Sequence, residues 1–418
     1  MKIFKFGGAS VKDAKGVQNV VHVLKTTGEK NLVVVISAMG KMTNALEEVV
    51  AAHLAKSDTL KDHLHAIESY HYTILNDLFP NKEHAVYEAV QGLFNQLKGF
   101  LASSKSKNHA FVYDQIVSYG ELISTTIVST YLSEENIKNT WLDVRGCIKT
   151  DANYRDAKVD WDVTQKRIVN KVSPTGITIT QGFLGAEHEN NFTTTLGREG
   201  SDYTAAIFAY CLNGESVTIW KDVPGVLNAD PRYFSKTQLL NKISYREAIE
   251  LAFYGASVIH PKTLQPLQRK EIPLYVKSFY NPTDAGTCVG KGVTLDPHTS
   301  CFILKNDLVL ISLSSLDFSF MMEDNISEVF KMLHDYKMKV ELIQNSAISF
   351  SVCVSNKYNT LDKLLVKLRE KFKVKWNEGV TLYTVRHSSP LEIKALTENK
   401  KLLLKQESRD TVQVIVQN

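Results

Sequence analysis

Four short strand-like runs rich in apolar residues, at 2 to 6, 31 to 37, 177 to 182 and 216 to 220, alternate with segments of helical periodicity over the first two thirds of the chain. That alternation predicts an α/β fold with a largely parallel sheet between layers of helix. The length of 418 residues leaves room for two or three domains. Residues 42 to about 110 interrupt the rhythm: amphipathic stretches at 43 to 79 and 86 to 101 predict a helical insertion. Turn chemistry at 281 to 287 (Asn-Pro-Thr-Asp-Ala-Gly-Thr) marks the end of the α/β part, near residue 290.

Past that boundary the order changes. A strand is expected at 308 to 313, a helix at 327 to 336, strands at 339 to 343 and 348 to 354, and a helix at 361 to 372. A reduced set follows: a strand at 380 to 385, a short helix at 391 to 396, and strands at 402 to 405 and 411 to 416. The C-terminal third therefore reads as a weak internal repeat of one α+β sandwich.

Composition narrows the function classes only a little. A net charge of +4 from 49 basic and 45 acidic residues is too mild and too mixed to imply nucleic acid. The one dense basic cluster, 366 to 375, alternates with apolar residues as the solvated side of a helix and strand does. No long apolar run opens the chain, so neither a secretory signal nor a membrane anchor is expected, and a cytoplasmic place is. Five scattered cysteines lack the close pairs that a zinc site or a disulfide framework needs; buried thiols are expected, and no residue is assigned to a metal.

Three stretches look like chemistry. Lys5-Phe6-Gly7-Gly8-Ala9-Ser10 sits between the first strand and a helix expected at 14 to 24. Paired glycines let backbone amides approach an anion, and Lys5 can meet a phosphoryl group; a plain strand-turn-helix with glycines chosen for their dihedrals explains the same residues. The second stretch, 193 to 206, is a polar glycine loop running into an Ala-rich helix, with Ser201 or Asp202 as the expected cap and Arg198 as a planar fork for a carboxylate. The third, Trp220-Lys221-Asp222-Val223-Pro224-Gly225 followed by Asp230-Pro231-Arg232, ends a strand where α/β sheets place ligands, and Asp222 and Arg232 are its informative residues. Neither a P-loop nor a dinucleotide fingerprint occurs.

Taken in order, KFGGAS at 5 to 10, Ser118-Tyr119-Gly120-Glu121, Thr180-Gln181-Gly182-Phe183, TTTLGREGSDYTAA at 193 to 206, the two segments around Asp222 and Arg232, and Tyr254-Gly255-Ala256-Ser257-Val258-Ile259-His260-Pro261 resemble the amino-acid kinase superfamily, and within it the aspartate kinases. The resemblance implies a three-layer α/β/α catalytic domain over 1–290, followed at 301–418 by ferredoxin-like ACT domains, two modules of which the second is shortened. It implies ATP-dependent phosphorylation of the L-aspartate β-carboxylate to 4-phospho-L-aspartate, the first step toward lysine, threonine and methionine. ATP and Mg2+ are the implied cofactors. Lys5 would neutralise the moving phosphoryl and Asp202 would organise Lys5; Gly7, Gly8 and Ser10 would cradle phosphates. Arg198 would take the substrate's α-carboxylate and Glu121 its ammonium, with Thr43 and Ser201 completing the pocket. Asp222, Arg232, Lys221 and the position of Ser257 belong to the nucleotide side.

Four residues depart from the resemblance. Lys221 stands where threonine is usual and Ser257 where lysine is frequent, so the positive charge is expected to have moved from one position to the other. Leu227 replaces a frequent tyrosine, and Glu199 a usual glycine. In the tail, Ser315, Glu341 and Ser346 fall where the family's first module binds its effector, and lysine, threonine or no ligand are open; a purely structural sandwich accounts for them as well. A homo-oligomer, a dimer through the ACT domains, is implied, with no nucleic acid, no membrane partner and no homoserine dehydrogenase domain. An acetylglutamate kinase and a catalytically idle amino-acid sensor are the competing readings.

Overall fold

The computed structural model describes residues 1–256, 259–317 and 320–417, and these divide into two compact units. The first takes 1–226, 239–249 and 259–297 of the described residues; the second takes 227–238, 250–256 and 298–417.

The first unit is built on an eight-stranded sheet in the order Asn139–Leu142, Ile177–Gln181, Leu32–Ile36, Lys2–Phe6, Ser216–Lys221, Leu274–Ser278, Thr287–Gly290, Lys242–Ser244. The first six run parallel, and the last two, parallel to each other, pair antiparallel to them. Leu32–Ile36 is buried at every position, which is why its sequence is unbroken Leu-Val-Val-Val-Ile. The chain thus re-enters the main sheet at Thr287–Gly290, past the turn chemistry at 281 to 287.

The inserted segment forms Met42–Ala55, Leu60–Leu78 and Ala85–Ser103, so the stretch expected at 43 to 79 is two helices and the one at 86 to 101 is one. The break falls at Lys56, which adopts the left-handed conformation and closes the first helix through its own amide. A fourth helix, His109–Glu134, starts where the insertion was expected to end. Ile67, Ile74, Val90 and Phe94 share one continuous core with Phe6 and Ile36, so the insertion packs on the sheet's own core.

The second unit carries a six-stranded antiparallel sheet ordered Lys339–Asn345, Ser349–Ser355, Cys301–Ser315, Phe372–Arg386, Thr411–Gln417, Lys401–Glu407. The repeat is visible in its register. A bulge between Val340 and Leu342 faces Val354 and Cys353, and one between Leu402 and Leu404 faces Val416 and Ile415, so the same offset relates both pairs. The first five residues of the long strand, Cys301–Lys305, pair with Leu382–Arg386. All five cysteines are free thiols; Cys288 is half-buried, contrary to the expectation of burial for all five.

Candidate active site

The central parallel strands deliver their carboxyl ends to one place. Lys5, near the end of Lys2–Phe6, is flanked in register by Val35 and Ile219, so Ser37 and Lys221 arrive beside it on the neighbouring chain segments. Together they open a cleft of about 620 Å³ that Lys5, Ser37 and Lys221 line from below. Helix Gly200–Leu212 brings Asp202 from above, and Lys5 Nζ meets Asp202 Oδ1 at 2.6 Å, both residues being buried. An ion pair so deeply placed survives only because each charge answers the other.

Asp202 was expected, with Ser201, to cap this helix, and the structure corrects that. The N-cap is Glu199, in the left-handed conformation at φ 53° with no capping side chain. The amides of Gly200 and Asp202 are taken by the carbonyls of Gly197 and Glu199, at 3.0 Å each, so the loop's backbone does the capping and Asp202's carboxylate is left for Lys5. Ser201 packs against Gly182, where a Cβ would stand 2.4 Å from the Ser201 Cβ; only glycine fits there.

Helix His109–Glu134 contributes Glu121, 2 % exposed. Its Oε1 accepts a hydrogen bond from the Ala38 amide at 3.1 Å, and its Oε2 has no partner. Burial pushes this carboxyl up to about 8, against the pull of the Ala38 amide and the Lys5 charge. A buried carboxyl oxygen without a partner, in the wall of an open cleft, calls for a partner from outside the chain. Thr43, in the first turn of Met42–Ala55, lines the same cleft, as do Ser201 and Arg198. Arg198 stands exposed on the loop before Gly200–Leu212.

The other expected residues divide. Gly7 and Gly8 form the turn above Lys5, and a Cβ on Gly8 would stand 2.6 Å from the Gly40 carbonyl oxygen and 2.9 Å from that of Ala38. Ser10 is buried, its hydroxyl donating to the Trp220 carbonyl at 3.4 Å, so its side chain ties the turn to the strand Ser216–Lys221. None of these three lines the cleft around Lys5 and Glu121. Asp222 follows Lys221 and is exposed. Arg232 belongs to the second unit, where its guanidinium grips Asp230 at 2.6 Å. Ser257 lies outside the described residues.

In the second unit, Glu341 sits on the first bulge, and its carboxylate binds Lys305 and, at 2.8 Å, Lys339. Burial would raise it, but the two lysines hold it below the usual carboxylate range. Ser346 pairs with Ser349 across the tight turn, hydroxyl to hydroxyl at 3.0 Å, and Ser315 ends the long strand. Among the described residues no group of three metal-ligating side chains occurs, and no helix is long and apolar enough to cross a membrane.

Sequence reasoning missed several lining residues: Asn44, Tyr113, Arg155 and Phe183. Phe183 ends a quoted motif, whereas Arg155 lies in an irregular stretch with no periodicity to mark it.

Residues 1–278 match the amino acid kinase family. Lysine-sensitive aspartokinase 3 of Escherichia coli (strain K12) is 32 % identical over 393 residues, 91 % of this chain and 85 % of that one. A bifunctional aspartokinase/homoserine dehydrogenase of Buchnera aphidicola is 28 % identical over 91 % of this chain, which spans 47 % of the relative. The crystal structure of E. coli aspartokinase III with lysine and aspartate superposes with a TM-score of 0.84 at 30 % identity, covering 100 % of this chain and 96 % of that one. The same enzyme with aspartate and ADP gives 0.80 at 28 % identity, with the same coverage.

Proposed function

The chain belongs to the amino acid kinase family, on its aspartate kinase branch, and from that premise we propose how the cleft moves the γ-phosphoryl of ATP onto the aspartate β-carboxylate. The observation that carries this reading is the convergence, in one cleft, of the Lys5–Asp202 ion pair, the half-satisfied Glu121 and the exposed fork of Arg198. A zwitterionic dicarboxylate needs one anionic and one cationic receptor beside the phosphoryl site, and that is the set present.

The nucleophile needs no activation, because a β-carboxylate is ionised at neutral pH. One carboxylate oxygen bonds to the γ-phosphorus as the bond from that phosphorus to the β,γ-bridging oxygen breaks, giving an acyl phosphate and ADP. The protein's share is alignment and charge neutralisation. Lys5 faces the equatorial oxygens of the moving phosphoryl, and Asp202 holds its ammonium there. Arg198 holds the α-carboxylate, Glu121 the α-ammonium, and Thr43 and Ser201 close the sides. Gly7 and Gly8 let the backbone approach the nucleotide phosphates, while Ser10 keeps that turn on the strand. Lys221, in the wall of the cleft, supplies phosphate charge in place of a lysine at 257, with Asp222 on the nucleotide side.

Magnesium fits as an ion carried in on the phosphates, which needs one or two carboxylates and no protein cage. Asp202, in the first turn of its helix, and Asp222, just past the end of its strand, are the carboxylates that would hold it, and it would supply neutralisation of the phosphate oxygens. A cytoplasmic place is part of the same reading. The second unit is read as the regulatory part, ACT-like and dimer-forming, in which Ser315, Glu341 and Ser346 meet an amino-acid effector such as lysine or threonine.

The test is magnesium-dependent ADP release with aspartate, glutamate or acetylglutamate, each with and without added lysine and threonine. Turnover with aspartate alone, suppressed by one effector, is expected. Turnover with acetylglutamate alone would move the chain to another branch, and none with any substrate would make it a sensor.

A further inference from the structure

The cleft holds a second guanidinium that no motif marks. Arg155 sits at φ 73°, a left-handed conformation that favours glycine and is rare for a long side chain. What holds it there is Asp114, buried in helix His109–Glu134, whose two oxygens accept from the Arg155 amide at 3.0 and 3.2 Å. The same carboxylate accepts from the Thr195 amide at 2.9 Å and from its hydroxyl at 2.7 Å. One side chain therefore clamps the Arg155 turn to the strand that leads into the Arg198 loop.

Other contacts bind the two loops together. The Ala157 amide donates to the Thr195 carbonyl at 3.0 Å, and a Cβ on Gly197 would stand 3.3 Å from the Arg155 carbonyl oxygen. Lys262 ties them again, donating to the Leu196 carbonyl at 2.8 Å and pairing with Asp156 at 2.7 Å. Arg155, Gly197 and Arg198 are shared between the catalytic cleft and a neighbouring cavity of about 560 Å³, so the two arginines stand in one partition.

The guanidinium itself is aimed. Its central carbon lies 4.2 Å from the centre of the Tyr113 ring, and that ring is fixed by its hydroxyl, which donates to Glu47 at 3.0 Å. Stacking occupies the face of a guanidinium and leaves its in-plane N–H donors for an anion. No hydrogen bond to another side chain uses those donors among the described residues. Of the cations in the cleft, Lys5 is answered by Asp202 and Lys221 is the one the reading above gives to the phosphates, which leaves the two arginines as the receptors for a carboxylate that keeps its charge through the reaction.

We propose that Arg155 joins Arg198 in a two-guanidinium clamp on the α-carboxylate of the substrate, an inference that rests on the aspartate kinase reading above. The clamp sits at the end of the substrate that does not react, so it contributes to affinity and selectivity and little to the chemical step.

The backbone strain makes a clean test possible, because Arg155→Gly removes the guanidinium and relieves the positive φ together. The full-length variant is expected to melt at the wild-type temperature or above it. Its KM for aspartate should rise roughly 10- to 100-fold, the loss of a charge-assisted hydrogen bond, with kcat and the KM for ATP within about threefold. Arg155→Lys, which keeps the charge without the fork, should fall between. The inhibition constant of L-aspartate α-amide, which lacks the α-carboxylate, should not change. An unchanged KM for aspartate in Arg155→Gly would overturn the clamp, as would a lowered melting temperature with KM and kcat lost together, which would make Arg155 a structural residue. An equal loss for the α-amide would also refute it. A wild-type enzyme with no aspartate-dependent ADP release would instead remove the kinase reading beneath it.

Discussion

Glu121 is a carboxyl group that burial holds protonated near neutrality, its pKa pushed up to about 8. If its task is to receive the substrate's ammonium, it must be ionised when aspartate binds. At pH 7 only about one tenth of it is, and at pH 6 about one hundredth. A ligand that binds a fractionally populated state has its apparent dissociation constant divided by that fraction. The KM for aspartate should therefore fall about tenfold per pH unit between pH 6 and 7.5, then level off above pH 8. The stability of the empty protein should move the other way. A folded-state pKa raised above the ordinary value of 4.5 gives stability that is complete below that value and lost as pH rises toward about 8. By pH 7 the loss is about 3 kcal/mol, so Glu121→Gln should stabilise the empty protein at pH 7 to 8 while weakening aspartate binding. Initial rates of ADP release at saturating MgATP, across pH 6 to 8.5 and over a range of aspartate, read the first effect; thermal melts in the same buffers read the second. A wild-type KM that stays within twofold over that range, or the same slope in Glu121→Gln, would show that this carboxyl does not gate binding.

Asp202→Asn strands the buried Lys5 ammonium, and an unpaired buried charge costs about 3–5 kcal/mol; urea unfolding should report that loss together with a fall in kcat, and a loss under about 1 kcal/mol would mean water already serves Lys5. Lys221→Thr should raise the KM for ATP by roughly tenfold and leave that for aspartate alone, as expected of one charge-assisted phosphate contact; an unchanged KM for ATP removes the idea that charge moved here from position 257. Gly8→Ala pushes a methyl to within 2.6 Å of a backbone oxygen, so the phosphate turn must shift; kcat/KM for ATP should drop about 100-fold, and near-normal kinetics would mean the turn has slack.

How much of this was legible beforehand depends on where each residue's partner lies. The central strands announced themselves because a strand covered on both faces has no polar alternation to hide it, as Leu32–Ile36 shows. Lys5 was legible for a local reason, a strand running into two glycines. Glu121 was not legible from periodicity. The middle of helix His109–Glu134 is buried nearly all round, so no stripe separates a functional carboxylate from its core neighbours, and only the surrounding motif singled it out. The cap of the Gly200–Leu212 helix was misread for a related reason: Ser and Asp after a glycine loop look like capping residues, but the carboxylate of Asp202 answers a lysine 197 positions earlier in the chain. Arg155 is the extreme case. Nothing around it repeats, its conformation is one a sequence reader assigns to glycine, and the residue that holds it, Asp114, comes 41 positions earlier. Local chemistry therefore finds Lys5 and Arg198, because a charged residue beside a glycine turn is a local pattern. Glu121 and Arg155 are set by contacts between distant segments, and it is there that a strained backbone, one that its surroundings hold in place, is the more informative sign.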